Sequence, residues 1–396
     1  MRALLQERVV IPVRRAPGWV LAVGIYLLAR GFSTVVTLWF AARQPENLWT
    51  VAGPGYGDFV SMWDGDRYRR IAEHGYPMPF PLDPLTGEPR QSEWAFFPAY
   101  PALVRLVMLT GLPFTTVAPA LSLLLGAVAV IGLHLLFEDL VGRSRALISV
   151  AAVSCFPTAA VLGYSYSEAT ALAALAWGLL LAHRGRYLAA VVPAVVLSLC
   201  RPVGLAFGLM LLVLLVVRHR AARAGRSTPG GLPGLLTLGV CTGLAALTFP
   251  AVVGWVSGMP DGYTRLQVAW RVQDHMEYVT PWLWMSRYLF GPVWGLVAVA
   301  VLAAAVTAAL ASPRMRRLGP VVWGWTFAYV VYLVAVVDPF TSVFRFLLLL
   351  APAAPALFGR RPAWWSVVLL LGALSVLQVI WIGTLWSFSP PSDFPP

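Results

Sequence analysis

The chain contains no lysine: all 29 of its basic residues are arginine. Schiff-base chemistry and a lysine general base are therefore excluded. Charge itself is scarce. Only 12% of the 396 residues are charged, against 59% hydrophobic, and soluble domains carry about twice that charge. Cysteine is rarer still. Cys155, Cys200 and Cys241 each lie inside an apolar run, with no CxxC and no Cys/His cluster. That excludes a disulfide scaffold and a thiolate metal site. Internal repeats and heptads are absent, and the one biased tract is the tail "SPPSDFPP". What the sequence has in plenty is apolar runs of about twenty residues, the length that crosses a bilayer as a helix. The expected fold class is an all-α polytopic membrane protein, a single membrane domain over residues 1–396. The net charge of +12 sits in short loops between the runs. Membrane orientation accounts for it, and nucleic acid is not an expected partner.

Basic clusters mark the cytoplasmic side. They are Arg2/Arg8/Arg14/Arg15, Arg143/Arg145, Arg184/Arg186, Arg218/Arg220/Arg223/Arg226, Arg314/Arg316/Arg317 and Arg360/Arg361. Placing all of them inside predicts about eleven spans, near 17–40, 118–137, 146–162, 168–182, 187–200, 203–217, 232–255, 288–311, 319–337, 342–358 and 363–386. The first is read as uncleaved, in a plasma (inner) membrane with a cytoplasmic N-terminus. Segment 95–111 is short and carries Arg105, so it is expected as a juxtamembrane helix. Segment 187–217 must turn back on itself at "CRPVG", where proline ends the helix. Two extracytoplasmic loops follow, 41–116 and 256–287. Only Glu7, Glu138 and Asp139 among the acidic residues then fall inside, and the polar chemistry collects at the outer face.

The densest polar stretch is "MWDGDRYRRIAEHGY", Met62 to Tyr76. It predicts a short helix with Asp64 or Asp66 as its cap, Gly75 just past its end and Pro77 as the stop. Tyr68, Ile71 and Ala72 share one face, and Arg67, Arg70 and His74 another. An interfacial helix holding lipid headgroups would read the same way. The block "SEWAFFPAYP" follows, with Glu93, Trp94, Phe97 and Tyr100. It fits an aromatic belt, and it also supplies the aromatic faces and carboxylate that hold sugars. Further on, "GYSYSEAT" places Glu168 at a helix junction, Arg201 sits at the break in "LCRPVG", and Arg345 lies just inside a run after Asp338. Arginine at membrane depth pairs internally or serves a pathway, and its planar fork suits a lipid phosphate. Both readings stand for Arg201 and Arg345. Arg30 is mid-span and reads as a structural partner. His74 and His275 are outside, but no ligand spacing around them supports a metal.

Together, "WDGDRYRRIAEHGY", "E-W-AFFPAYP", "YSYSE", "RPVG" and "FRFLLLLAP" resemble the PIG-V-like mannosyltransferases, GT-C enzymes related to the second mannosyltransferase of GPI-anchor assembly. The resemblance runs from Asp58 to about Pro355, and its first two motifs are the specific ones. It implies a polyprenyl-phosphate mannose donor and inversion at the anomeric carbon. It maps the family's membrane-boundary aspartate onto Asp64 and its acidic residue before "AFFP" onto Glu93. Lysine-free composition fits a GC-rich bacterial genome. The acceptor is then not a GPI precursor but a glycolipid, glycan or protein of the cell envelope.

The chemistry assigns roles. A lipid phosphate is already a good leaving group, so no cofactor is required, and a divalent metal is left open. Asp64 is the expected base for the acceptor hydroxyl, with Asp66, Glu93 and Glu168 as supporting acids. Arg201 and Arg345 would steady the departing phosphate. Trp63, Trp94, Phe97, Tyr100, His74 and Arg271 would hold the sugar or acceptor. The alternatives are a GT-C enzyme for another polyprenyl-phosphate sugar, a lipid transporter and an envelope scaffold subunit. A transporter would want polar groups at the midplane, whereas these gather at one face. The arginine asymmetry predicts orientation directly. Cysteines placed at Pro79 and Asp261 should react with a membrane-impermeant thiol reagent in intact cells, and one at Ala221 should not. The opposite pattern would invert the chain.

Overall fold

The computed structural model describes residues 16–271, 273, 275–390 and 396. Arg2, Arg8, Arg14, Arg15, Glu7, Asp274 and Asp393 lie outside the described residues. Regular structure is almost wholly helical, with an isolated antiparallel bridge between Leu82 and Pro89. Helix α1 (Gly18–Ala41) leads into a long connection carrying α2 (Tyr56–Phe59), α3 (Asp64–His74) and α4 (Ala99–Met108). Then come α5 (Phe114–Val141), α6 (Arg143–Ser154), α7 (Glu168–His183), α8 (Tyr187–Cys200), α9 (Gly204–Arg223) and α10 (Leu232–Ser257). A second connection holds α11 (Gly262–Arg271) and α12 (Thr280–Phe290). The chain ends with α13 (Pro292–Ala311), α14 (Pro313–Arg316), α15 (Gly319–Val336), α16 (Val343–Phe346) and α17 (Trp364–Trp381).

Seven described helices are long and apolar enough to cross a membrane: α1, α5, α9, α10, α13, α15 and the stretch Trp364–Trp386. The 24 residues of α1 reach about 36 Å, enough for a hydrocarbon core of about 30 Å. The chain is an integral membrane protein. The other four expected spans are helical but shorter. Segment 146–162 is only α6 and a 3-10 turn, Ala159–Gly163, because Pro157 prevents the helix from continuing. Segment 342–358 is α16 followed by a 3-10 stretch, Leu347–Leu357, containing Pro352 and Pro355. Each proline lacks the N–H that an α-helix would need. Helices α7 and α8 match segments 168–182 and 187–200 but stop at 16 and 14 residues.

Helix α7 is the centre of the packing. It is rich in alanine, and nearly all of its residues are buried. Small side chains let α5 and α8 approach it closely. At Gly132 of α5, a Cβ would stand 3.1 Å from the Trp177 ring, and the Trp177 indole N–H donates to Val128 O at 3.1 Å. By contrast α13 is almost entirely exposed, as befits a helix facing lipid. Helix α10 ends at Gly258, whose φ of +71° few other residues adopt. From there Met259 N–H reaches back to Gly254 O at 3.1 Å.

The loops sort to two ends. Arg143 donates to Ala16 O, Arg184 pairs with Asp139 at 2.8 Å, and Arg218 donates to Gly230 O at 2.8 Å. These contacts gather the starts of α1, α6, α8 and α10 at one basic end. Helices α3 and α4, the break after Cys200 and the start of α7 lie at the other. The Tyr26 hydroxyl ties the bundle internally, donating to Leu123 O at 3.0 Å and Leu162 O at 3.3 Å. A methyl added at Gly126 would run into that hydroxyl. Gly126→Ala should cost about 1–3 kcal/mol in a fluorescence-monitored melt. Adding Tyr26→Phe removes the clashing oxygen and should recover part of the loss. A double variant no more stable than Gly126→Ala would refute this packing.

Candidate active site

Helix α3 starts at Asp64, and its preceding residue, Trp63, has a φ of +59°. A non-glycine residue in that region is strained by about 1–3 kcal/mol and has to be held there. It is held by the Trp63 indole N–H donating to Trp386 O at 2.9 Å, and by rings of Trp49 and Phe388 at 4.6 and 5.8 Å. Neither Asp64 nor Asp66 caps the helix through its side chain. This corrects the expected cap: both carboxylates are committed to arginines instead. Gly75 does end the helix, at φ +81°. Tyr68, Ile71 and Ala72 are its buried face.

The segment before α7 meets this helix across a seam of hydrogen bonds. Tyr56 OH donates to Gly163 O at 3.0 Å, and Ser165 N–H donates to Val60 O at 3.1 Å. Ser61 and Ser165 hydroxyls stand 2.7 Å apart. Asp64 N–H donates to the Tyr166 hydroxyl at 3.0 Å, and the Tyr68 hydroxyl meets Ser167 at 2.9 Å. The motif "YSYSE" is thus the clamp that sets Asp64 beside Glu168. Only its last residue was singled out from the sequence, although the alternating Tyr and Ser were visible there.

Four charges meet at this seam. Arg345 Nη2 donates to Asp64 Oδ2 at 2.9 Å, and its Nη1 to Glu168 Oε1 at 3.0 Å. Its Nε donates to a main-chain oxygen of Pro396. Arg201 Nη1 lies 2.8 Å from the same Glu168 oxygen, but at an angle that makes no hydrogen bond. Glu168 Oε2 is buried and also without a partner. The guanidinium planes lie near the Tyr166 and Phe346 rings, at 4.8 Å for Arg345 and 4.5 Å for Arg201. Asp64 is the accessible member, its side chain 28% exposed against 1% for Glu168. The cation beside Asp64 is therefore Arg345, 281 residues away in sequence.

A second tier surrounds the first. Asp66 is buried and pairs with Arg69 and Arg70, the latter at 2.9 Å. Glu93 pairs with Arg67 at 2.9 Å and Arg70 at 3.6 Å. Arg271 binds Asp338 at 3.2 Å and Val336 O at 2.7 Å, tying α11 to the end of α15. Burial pushes the Asp338 carboxyl above the usual carboxylate range, against the pull of Arg271. His74 is exposed beside Glu73. The aromatics expected to hold a sugar are packed away. Trp63, Trp94, Phe97 and Tyr100 are all buried. Trp94 stacks between Tyr76 and Phe249, Phe97 packs on Phe249, and Tyr100 hydrogen-bonds with Ser122. These rings wedge the loop onto α5 and α10 and offer no open face. Among the described residues no group of three or more His, Cys, Asp or Glu is placed to hold a metal.

No protein-family model and no curated protein matches the chain. Among solved structures it is similar to the oligosaccharyltransferase of Archaeoglobus fulgidus, solved with zinc and sulfate. The TM-score is 0.51 at 14% identity, over 92% of this chain and 54% of that one. An archaeal oligosaccharyltransferase of the same organism, with an inhibitory peptide and a dolichol-phosphate, aligns at TM-score 0.49 and 11% identity, over 93% and 56%. The chain spans about half the length of these proteins. At such identity the likeness is one of fold, and the first comparison carries it: the chain has the GT-C-type glycosyltransferase fold.

The two tiers differ in burial, and their energetics should differ accordingly. Glu168→Gln leaves two buried guanidiniums short of a counter-charge and should cost about 3–5 kcal/mol. Arg70→Ala, at a half-exposed pair, should cost less than about 1 kcal/mol. Equal losses in thermal melts of the purified variants would show that Glu168 is solvated.

Proposed function

We propose that the chain is an inverting membrane glycosyltransferase that moves a mannosyl residue from a polyprenyl-phosphate donor to an envelope glycolipid, glycan or protein. The observation that carries this reading is the Asp64–Arg345–Glu168–Arg201 cluster. It places an accessible carboxylate on Arg345 and, through the shared Glu168, near Arg201, whose Nη1 is buried without a hydrogen-bond partner. The GT-C-type fold supports transfer to a sugar acceptor. The motif resemblance supports mannose over other sugars. The arginine asymmetry supports an extracytoplasmic site, since the cluster lies at the end opposite the basic turns.

In the reaction the acceptor hydroxyl oxygen attacks the anomeric carbon from the face opposite the phosphate. Its proton passes to the free side of the Asp64 carboxylate. The bond from the anomeric carbon to the phosphate oxygen breaks, and its electron pair leaves with the polyprenyl phosphate. Positive charge builds on the sugar in an oxocarbenium-like transition state. The unaligned N–H groups of Arg201 and the Nε of Arg345 receive the phosphate oxygens, the latter in place of Pro396. Glu168 holds both guanidiniums in register, and the Arg67, Arg69 and Arg70 tier keeps α3 in place. Sugar recognition falls to groups other than the four buried aromatics. Exposed His74 is the one of the six proposed sugar-contacting residues left free to reach a ligand.

Asp64→Asn keeps the size of the side chain and an oxygen for Arg345, but it cannot accept the proton. With membranes, radiolabelled polyprenyl-phosphate mannose and matched expression, its transfer rate should fall by about 10²–10⁴, with donor binding retained. Asp66→Asn should lose far less. Near-normal turnover in Asp64→Asn would remove it as the base. Loss of donor binding with turnover would make it a positioning residue.

A further inference from the structure

Tyr332 carries a hydroxyl that packing alone does not require. It lies one turn before the end of α15 and is 9% exposed. Its ring has a clear use: it stacks on Tyr329 at 5.9 Å, with the planes 15° apart, and Tyr329 stacks on Trp325 at 5.1 Å. A phenylalanine would stack there equally well. The neighbouring Tyr329 uses its oxygen, donating to Phe346 O at 2.8 Å. The Tyr332 oxygen makes no hydrogen bond among the described residues, and it is not sealed in as Glu168 Oε2 is. A polar group so deeply buried is costly without a partner, and in native proteins such groups are mostly satisfied. An oxygen that is unpaired but still reachable is placed for a ligand.

Two arginines flank that oxygen. Phe346, which accepts the Tyr329 hydroxyl, has its ring 4.5 Å from the Arg201 guanidinium. From the second connection, Arg271 Nη2 donates to Val336 O at 2.7 Å, one turn beyond Tyr332. Arg201 and Arg271 are the charges that act on the Tyr332 hydroxyl. No carboxylate competes for it: Glu168 is taken by Arg201 and Arg345, and Asp338 by Arg271. Of the Arg201 nitrogens only Nη1 is sealed without a partner, so Nε and Nη2 stay open to a ligand. An O–H donor set between guanidiniums suits an anion, and hydrogen bonds to an anion are the strong ones.

We propose, resting on the glycosyltransferase reading above, that the Tyr332 hydroxyl is a further ligand of the donor's lipid phosphate, donating to an oxygen that Arg201 also holds. The full chain in detergent, stripped of lipid, is compared with Tyr332→Phe by native mass spectrometry. Each is titrated with polyprenyl phosphate, polyprenyl-phosphate mannose and polyprenol. Phenylalanine keeps the stacked ring, so the ligand-free melting temperature should not fall. Wild type should bind both phosphates more tightly than polyprenol. Tyr332→Phe should lose about tenfold or more in affinity for polyprenyl phosphate, lose as much for the mannose-bearing lipid, and keep its affinity for polyprenol. Unchanged binding of polyprenyl phosphate overturns the proposal. If the mannose-bearing lipid alone is then weakened, the hydroxyl meets the sugar instead. A matching loss for polyprenol also overturns it, because the hydroxyl would then act through the prenyl chain or the fold. The wider reading fails differently. Wild type that binds polyprenyl phosphate no better than polyprenol removes the donor class and this inference together. Selectivity in wild type that Tyr332→Phe fully retains removes Tyr332 alone.

Discussion

One guanidinium organises the polar end of this molecule. Arg345 spends its nitrogen donors on Asp64 of α3, on Glu168 at the start of α7 and on Pro396. These groups come from chain segments that share no local sequence. In a chain with so little charge, four ionised side chains packed this closely are expensive unless they neutralise one another. Two carboxylates against two arginines do so. The position of α3 follows from that balance. So does the strained Trp63 backbone, because Asp64 can reach Arg345 only from where the Trp386 carbonyl and the Tyr166 hydroxyl hold the helix start.

Much of the fold was legible because the signals are local. Long apolar runs became helices at nearly the expected places. The turn at "CRPVG" follows from a proline that cannot extend α8, and Gly75 followed by Pro77 ended α3. Less legible was how far each helix extends. Pro157, Pro352 and Pro355 shorten two expected spans into mixtures of α and 3-10 helix, and hydropathy windows are blind to that difference. Asp64, Glu168, Arg201 and Arg345 were each singled out, because a charge at the edge of an apolar run needs a reason. Their mutual pairing was not, since nothing in the spacing connects residues 64 and 345.

The aromatic block was ambiguous for a different physical reason. A ring that stacks on a sugar and a ring that seals a loop onto a helix have the same composition and the same alternation with proline. What separates them is whether one face stays open, and that depends on partners far away. Trp94 and Phe97 both close on Phe249 of α10. The tail was overlooked as well. Trp386 donates its indole N–H to Phe59 O at 3.1 Å and packs on Tyr164 and Tyr166. In the sequence it is simply one more aromatic residue ending a greasy run.

The neutral cluster also bears on how the proposed chemistry would begin. Asp64 Oδ2 accepts from Arg345 Nη2 at 2.9 Å, and that ion pair holds one carboxylate oxygen on the guanidinium. A donor phosphate brings negative charge into a site whose charges already cancel. It must compete for the same guanidiniums, and a tetrahedral phosphate can engage both arginines where Asp64 reaches only one. Each bond that Arg345 makes to phosphate weakens its hold on Asp64. The carboxylate is then free to turn toward the acceptor hydroxyl at the moment the leaving group is in place. Glu168 cannot make that exchange, because it is fully buried and shared between both arginines. On this physics the exposed carboxylate suits the proposed role of base and the buried one that of anchor. The same arginine that pairs with Asp64 would, in the proposed reaction, couple its release to donor binding.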